Sequence, residues 1–199
     1  MENPIWQGLG VIADMLILNL LTVICSLPVV TAGAAVTAMN SVVIRMLRGE
    51  EGTGVTRCYF HALRQNLKSG ILLGLGLLLA AGLLYFDYLA ASSFVPPLRF
   101  AIAAIGVLLL ALAIYAFALL SRYENSLFGT LKNAAALAVA YFPKTLGMLC
   151  FCAAFWLLCI HFIRWGAPIL LMFGLSLPCY VCVILMKPMF DLLEKENNP

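Results

Sequence analysis

Apolar residues along this chain come in long blocks, interrupted by three polar stretches at residues 45–70, 122–144 and 187–199. Blocks of roughly 20 apolar residues predict helices long enough to cross a bilayer. The first block, 9–44, holds a single charge, Asp14. As one helix it would be about 54 Å long, against a hydrocarbon core of about 30 Å. Ser26-Leu27-Pro28 supplies a break, because proline cannot continue the helical ladder and restricts the residue before it. The pattern therefore predicts helices over about 9–26 and 29–47, with Thr37, Ser41, Arg45 and Arg48 forming a polar stripe on the second.

Further along, a short amphipathic helix is predicted from Thr56 to Leu67. Its apolar face carries Tyr59, Phe60, Leu63 and Leu67, which reads as an interfacial helix. Helices follow at about 69–91 and 99–121, joined by a loop at 92–99 that contains Pro96-Pro97. The first of them carries Gly70-Ile-Leu-Leu-Gly74, a spacing that permits close helix contact. In the second polar stretch Asn125-Ser126 is positioned to cap a helix running to Tyr141. Helices at about 144–163 and 168–186 complete the set, with Pro178 as an expected kink site in the last one. Beyond Lys187 the tail reads as polar and frayed. The fold class expected is an all-α, polytopic transmembrane bundle of five or six membrane helices, forming a single domain over 1–199.

Charge then orients the bundle. Arg45, Arg48, Arg57, Arg64, Lys68, Arg122, Lys132, Lys144, Lys187 and Lys195 lie in the three polar stretches, and only Arg99 and Arg164 lie elsewhere. Basic loops stay cytoplasmic, so these stretches and the C-terminus are expected inside, in a plasma membrane. With six spans the N-terminus is also inside. If 9–44 crosses once, there are five spans and the N-terminus is outside. Composition agrees with lipid as the solvent: 64% of residues are apolar, 11% are charged and mean hydropathy is +1.03. The net charge of +3 marks topology and is not a nucleic-acid footprint; the bilayer is the expected partner. Ala32-Gly33-Ala34 resembles a signal cleavage site, but residues 1–10 carry no Lys or Arg, so the first block is read as mature protein.

Seven cysteines, most of them in apolar runs, read as free thiols packed as small hydrophobes. Cys179-Tyr-Val-Cys182 has redox spacing but no basic neighbour, and packing is the better account. Cys150, Cys152, Cys159 and His161 fall on different helix faces and two turns apart, a poor metal set. No catalytic motif or phosphate loop is present, so no catalytic residue, metal or cofactor is assigned and no enzymatic activity is expected. Two groups of polar residues remain. Asp14, Asn19 and Asn40 are candidate intramembrane polar groups. Arg48, Glu50, Glu51, Phe60, Arg122, Glu124 and Asn125 form a candidate partner-docking loop.

Several segments carry a family resemblance. Leu18-Asn-Leu-Leu-Thr-Val-Ile-Cys-Ser-Leu-Pro-Val-Val-Thr-Ala-Gly33 is followed by Arg48-Gly-Glu-Glu-Gly52 and Phe60-His-Ala-Leu-Arg-Gln-Asn-Leu-Lys68. Later come Arg122-Tyr-Glu-Asn-Ser126 and Lys132-Asn-Ala134. Together they resemble the YesL family of bacterial membrane proteins, a domain of unknown function. The resemblance implies a bacterial plasma-membrane protein linked to carbohydrate uptake and brings no catalytic residue with it. The resulting expectation is a non-enzymatic accessory or regulator, partnered with a membrane transporter subunit. A small solute transporter or channel is the alternative.

Overall fold

The computed structural model describes the backbone of residues 4–49, 54–94, 96–123, 126–161 and 172–197, and the side chains of 10–49, 54–91, 98–123, 126–161 and 172–190. Every regular element among these residues is helical: α1 (Pro4–Ser26), a 3-10 turn (Val29–Thr31), α2 (Ala32–Arg48), α3 (Val55–Gln65), α4 (Leu67–Phe94), α5 (Pro96–Leu120), α6 (Leu127–Ala140), α7 (Phe142–His161) and α8 (Ser176–Asn197). The protein is an all-α bundle. Four of the described helices are long and apolar enough to cross a membrane: Val29–Arg48, Leu67–Ala91, Leu98–Leu120 and Phe142–His161. Gly10–Ser26 and Ser176–Phe190 are shorter apolar helices.

The break at Pro28 reverses the chain. Thr31 anchors the turn by donating its hydroxyl to the Cys25 and Pro28 carbonyls, at 2.7 and 2.9 Å. The Tyr59 side chain touches Thr22 and Cys25 on α1 and the Ala35 carbonyl on α2, about equally far to either side of the turn. The first apolar block is thus an antiparallel helical pair rather than one continuous kinked helix. At the other end of α2, Gly49 adopts φ 71° and donates its N–H to the Arg45 and Met46 carbonyls. Only glycine enters that left-handed region without strain, so the helix ends there.

The α2 helix is the hub. It runs antiparallel to α4, with Gly33 on Gly70 and Gly74, and Val29 beside Leu78 and Ala81. It runs parallel to α8, where Asn40 meets Cys179 and Leu47 meets Lys187. The Gly70/Gly74 spacing does permit close approach, and its partner surface is Gly33–Ala34. A Cβ added at Gly33 would run into the Gly70 carbonyl and lie 2.7 Å from the Gly74 Cα. Small residues let the helix backbones meet, and dispersion and weak Cα–H contacts then hold them.

Two buried clusters flank α8. One gathers Leu18, Met39, Val43, Tyr59 and Val183; the other gathers Tyr115, Leu119, Met148, Cys182, Met186 and Phe190. Adjacent residues of α8, Cys182 and Val183, face opposite clusters, so this helix wedges the two together.

Four local expectations are corrected. The expected loop at 92–99 is largely helical: α4 runs to Phe94 and α5 begins at Pro96, because proline fits the first helical turn, where its N–H has no partner to lose. Pro178 is the third residue of α8 and so lies in the first turn rather than at a mid-helix kink; Pro188 is the proline inside α8. The polar tail does not fray at Lys187, since α8 continues to Asn197. Finally, α3 docks its apolar face on α1 and α2. Tyr59 and Ala62 are buried there, while Phe60, placed on that face by pattern, is 43% exposed.

Candidate functional site

Interhelical bonds account for the candidate intramembrane asparagines. Asn19, fully buried on α1, accepts the Leu175 N–H at 2.9 Å and the Ser176 N–H at 3.1 Å through Oδ1. It thereby caps α8 from another helix, satisfying donors that no preceding turn can satisfy. Asn40 donates through Nδ2 to the Val36 carbonyl of its own helix at 2.9 Å, and its Oδ1 faces the Cys179 thiol at 3.5 Å. Thr37 and Thr22 turn their hydroxyls back onto carbonyls four residues earlier. Asp14 is half-buried near the N-terminal part of α1 and takes part in an interaction. On α3, burial raises the Tyr59 phenol above its ordinary pKa, so it stays neutral and serves as a donor to the Ala35 carbonyl.

The cysteines of the C-x-x-C make separate contacts. Cys179 meets Asn40, and Cys182 lies with its sulfur 3.7 Å from that of Cys152 on α7. All seven are free thiols. Among the described residues, no group of three His, Cys, Asp or Glu could hold a metal.

The docking-loop residues separate. Glu50, Glu51, Glu124 and Asn125 lie outside the described residues. Phe60 sits on the outer face of α3, edge-on to Tyr59 at 5.8 Å, among exposed Arg57, His61, Arg64 and Lys68. Arg48 and Arg122, 74 positions apart in sequence, come together. They line one cavity of about 40 Å³ with Ile44, Leu47, Val183, Lys187 and Phe190.

Each cation of this mouth is placed by its own element. Arg48 ends α2. Ser121, immediately before Arg122, accepts the Ser41 hydroxyl at 3.2 Å through its carbonyl, tying the end of α5 to α2. The Arg122 guanidinium lies 4.8 Å over the Phe190 ring and 5.7 Å from that of Tyr123. Lys187 donates to the Leu47 carbonyl at 3.1 Å. Sequence reasoning missed Lys187 and Phe190 as parts of a site. The available signal was a basic residue three positions before an aromatic one on the last apolar helix, and it has no meaning without knowing which helix α8 meets.

Beyond the mouth, Ser126 caps α6 by accepting the Gly129 N–H at 3.2 Å, as its position before the apolar run predicted. The Tyr115 hydroxyl lies 3.0 Å from that of Thr145, fastening α5 to α7 inside the core.

Residues 15–88 match a family described as "Protein of unknown function, DUF624". The matched stretch takes in the α1–α2 turn, α3 and most of α4, and so includes Asn19, Asn40, Arg48 and the glycine contact. Arg122 and Lys187 lie outside it. No curated protein and no solved structure matches the chain.

Proposed function

We propose that this chain is a non-enzymatic accessory protein of the bacterial plasma membrane that assists or regulates carbohydrate uptake. In this reading α1 and α2 enter and leave from the basic end. Together with α4, α5, α7 and α8 they make six membrane helices, with both termini and all the basic stretches on the cytoplasmic side. The carbohydrate link rests on the resemblance to the YesL family. The orientation rests on the distribution of Lys and Arg.

The convergence of Arg48, Arg122 and Lys187 on one cavity supports the accessory role. It provides a charged, aromatic-backed surface at the end of the bundle, the kind of patch on which a partner's acidic groups dock. Asn19 and Asn40 point the same way. Their contacts tie helices together rather than line a solute path.

Brief cross-linking in native membranes followed by purification in mild detergent tests the proposal. It predicts capture of a transporter subunit or sensor by the wild type and loss of that capture in R48E/R122E. Solute flux through liposomes holding only this protein, with no partner captured, would replace the accessory reading with that of a small transporter.

A further inference from the structure

We infer that the mouth formed by Arg48, Arg122 and Lys187 binds a phosphate-bearing anion at the membrane boundary. The inference refines the docking surface proposed above and takes its location from that reading.

Topology alone requires basic residues at this end of the bundle. It does not require three cations from α2, the α5–α6 connection and α8 to share one small cavity. An anion seated in that cavity gains an attraction from each of the three cations. The donors are also prearranged. The Phe190 ring, 4.8 Å from the Arg122 guanidinium, helps to hold that planar fork of N–H donors at the mouth, and such a fork matches phosphate oxygens. The bond from Lys187 Nζ to the Leu47 carbonyl fixes that ammonium while using one of its three N–H donors.

The carbonyl-rich end of α2 would ordinarily repel an anion. Here Gly49 and Lys187 donate to the Arg45, Met46 and Leu47 carbonyls and offset that end. The remaining lining, Ile44, Leu47, Val183 and Phe190, is apolar. A cavity half cationic and half hydrocarbon suits the headgroup and first carbons of an anionic phospholipid. A free phosphate or small phosphorylated solute shares the recognition chemistry, and the test separates the two sources.

The full-length protein in mild detergent is titrated with phosphatidylglycerol and, as a neutral control, phosphatidylcholine, with retained lipid read by native mass spectrometry. Separate melts are recorded with inorganic phosphate. Wild type should retain phosphatidylglycerol preferentially. R48Q/K187Q should bind it roughly 25-fold more weakly, at about fivefold per charge. R57Q/R64Q, which removes the same charge from the exposed face of α3, should bind as wild type does. Arg48 and Lys187 are exposed, and the melting temperature checks that the double variant stays folded.

Retention that survives excess inorganic phosphate identifies the lipid headgroup. Displacement by phosphate, or a melt raised by phosphate and abolished in R48Q/K187Q, identifies the free anion. Equal weakening in both double variants would show only diffuse surface charge and overturn the inference. So would the absence of lipid retention together with the absence of a phosphate-induced shift, which would mean that the chain's own carboxylates balance the mouth. Partner capture is scored in the same variants. Lost lipid with retained partner removes the docking reading alone, and retained lipid with lost partner removes this inference alone.

Discussion

The basic half of the bundle and the far half of the α4–α5 pair are made of similar apolar residues, yet they are built differently. In the basic half, Tyr59, Tyr115, Phe190, Leu18, Met148 and Met186 are essentially inaccessible. Past Ala81 on α4 and before Gly106 on α5, nearly every described side chain is half-buried or exposed, Ala91 excepted. The α1–α2 turn stops beside Leu78 and Ala81, so α4 continues for 13 residues, or about 20 Å, with α5 alongside. There Arg99 reaches over the Tyr88 ring at 5.9 Å, joining α5 to α4.

The difference teaches where stability comes from when the surroundings are hydrocarbon. Lipid solvates leucine as well as protein does, so exposed Leu83, Phe86 and Phe100 cost nothing there. Backbone contact through glycine and satisfied buried polar groups hold the other half together, and both are concentrated around α2.

The largest effect should come from the glycine contact. Gly33→Ala places a Cβ against the backbone of α4 and should destabilise the bundle by about 3 kcal/mol, the upper range for overpacking a core. Gly76→Ala and Gly82→Ala, where no atom lies within 4 Å of the added carbon, should remain within about 0.5 kcal/mol of wild type. Thermal unfolding in one detergent gives this ranking directly, and equal losses at all three glycines would erase the contrast between the halves.

Next comes Asn19→Leu, which strips the cap from α8 and leaves the Leu175 and Ser176 N–H groups without Asn19. A loss of about 2 kcal/mol is expected. Hydrogen exchange should locate it at the start of α8, where a uniform change along the chain would contradict the capping role. Tyr115→Phe removes one buried bond, to Thr145, and should cost about 0.6 kcal/mol. Smallest of all, Leu83→Ala and Phe100→Ala on the far pair should shift the unfolding midpoint by under about 0.5 kcal/mol. A drop comparable to that of Asn19→Leu would show that this region is packed in the membrane after all.

Sequence pattern carried the helix positions well, because long apolar runs, Pro28, Gly49 and Ser126 act locally. The Gly70/Gly74 spacing was also readable as a contact face. Its partner was not, since Gly33 sits in a run of small apolar residues that encodes no pairing. Amphipathicity correctly marked α3 as one-sided, but it cannot distinguish a face that meets lipid from one that meets protein. Tyr59 goes to α1 and α2 while its neighbour Phe60 stays outside. The mouth was half legible: Arg48 and Arg122 stood out beside apolar blocks. Lys187 joins them only because α8 runs parallel to α2, which is a tertiary fact. The end of α8 was not legible, because polar composition ends an apolar run without ending the helix, which continues to Asn197.

Every functional statement depends on which side of the membrane the basic end faces. Arg57→Cys on α3 and Asp87→Cys on the far half of α4, each in a background lacking the native cysteines, can be labelled with a membrane-impermeant thiol reagent. Intact cells and inside-out vesicles present the two sides. The account predicts that Arg57→Cys reacts only in inside-out vesicles and Asp87→Cys only in intact cells. The reverse pattern would place the mouth outside the cell and contradict a cytoplasmic docking surface.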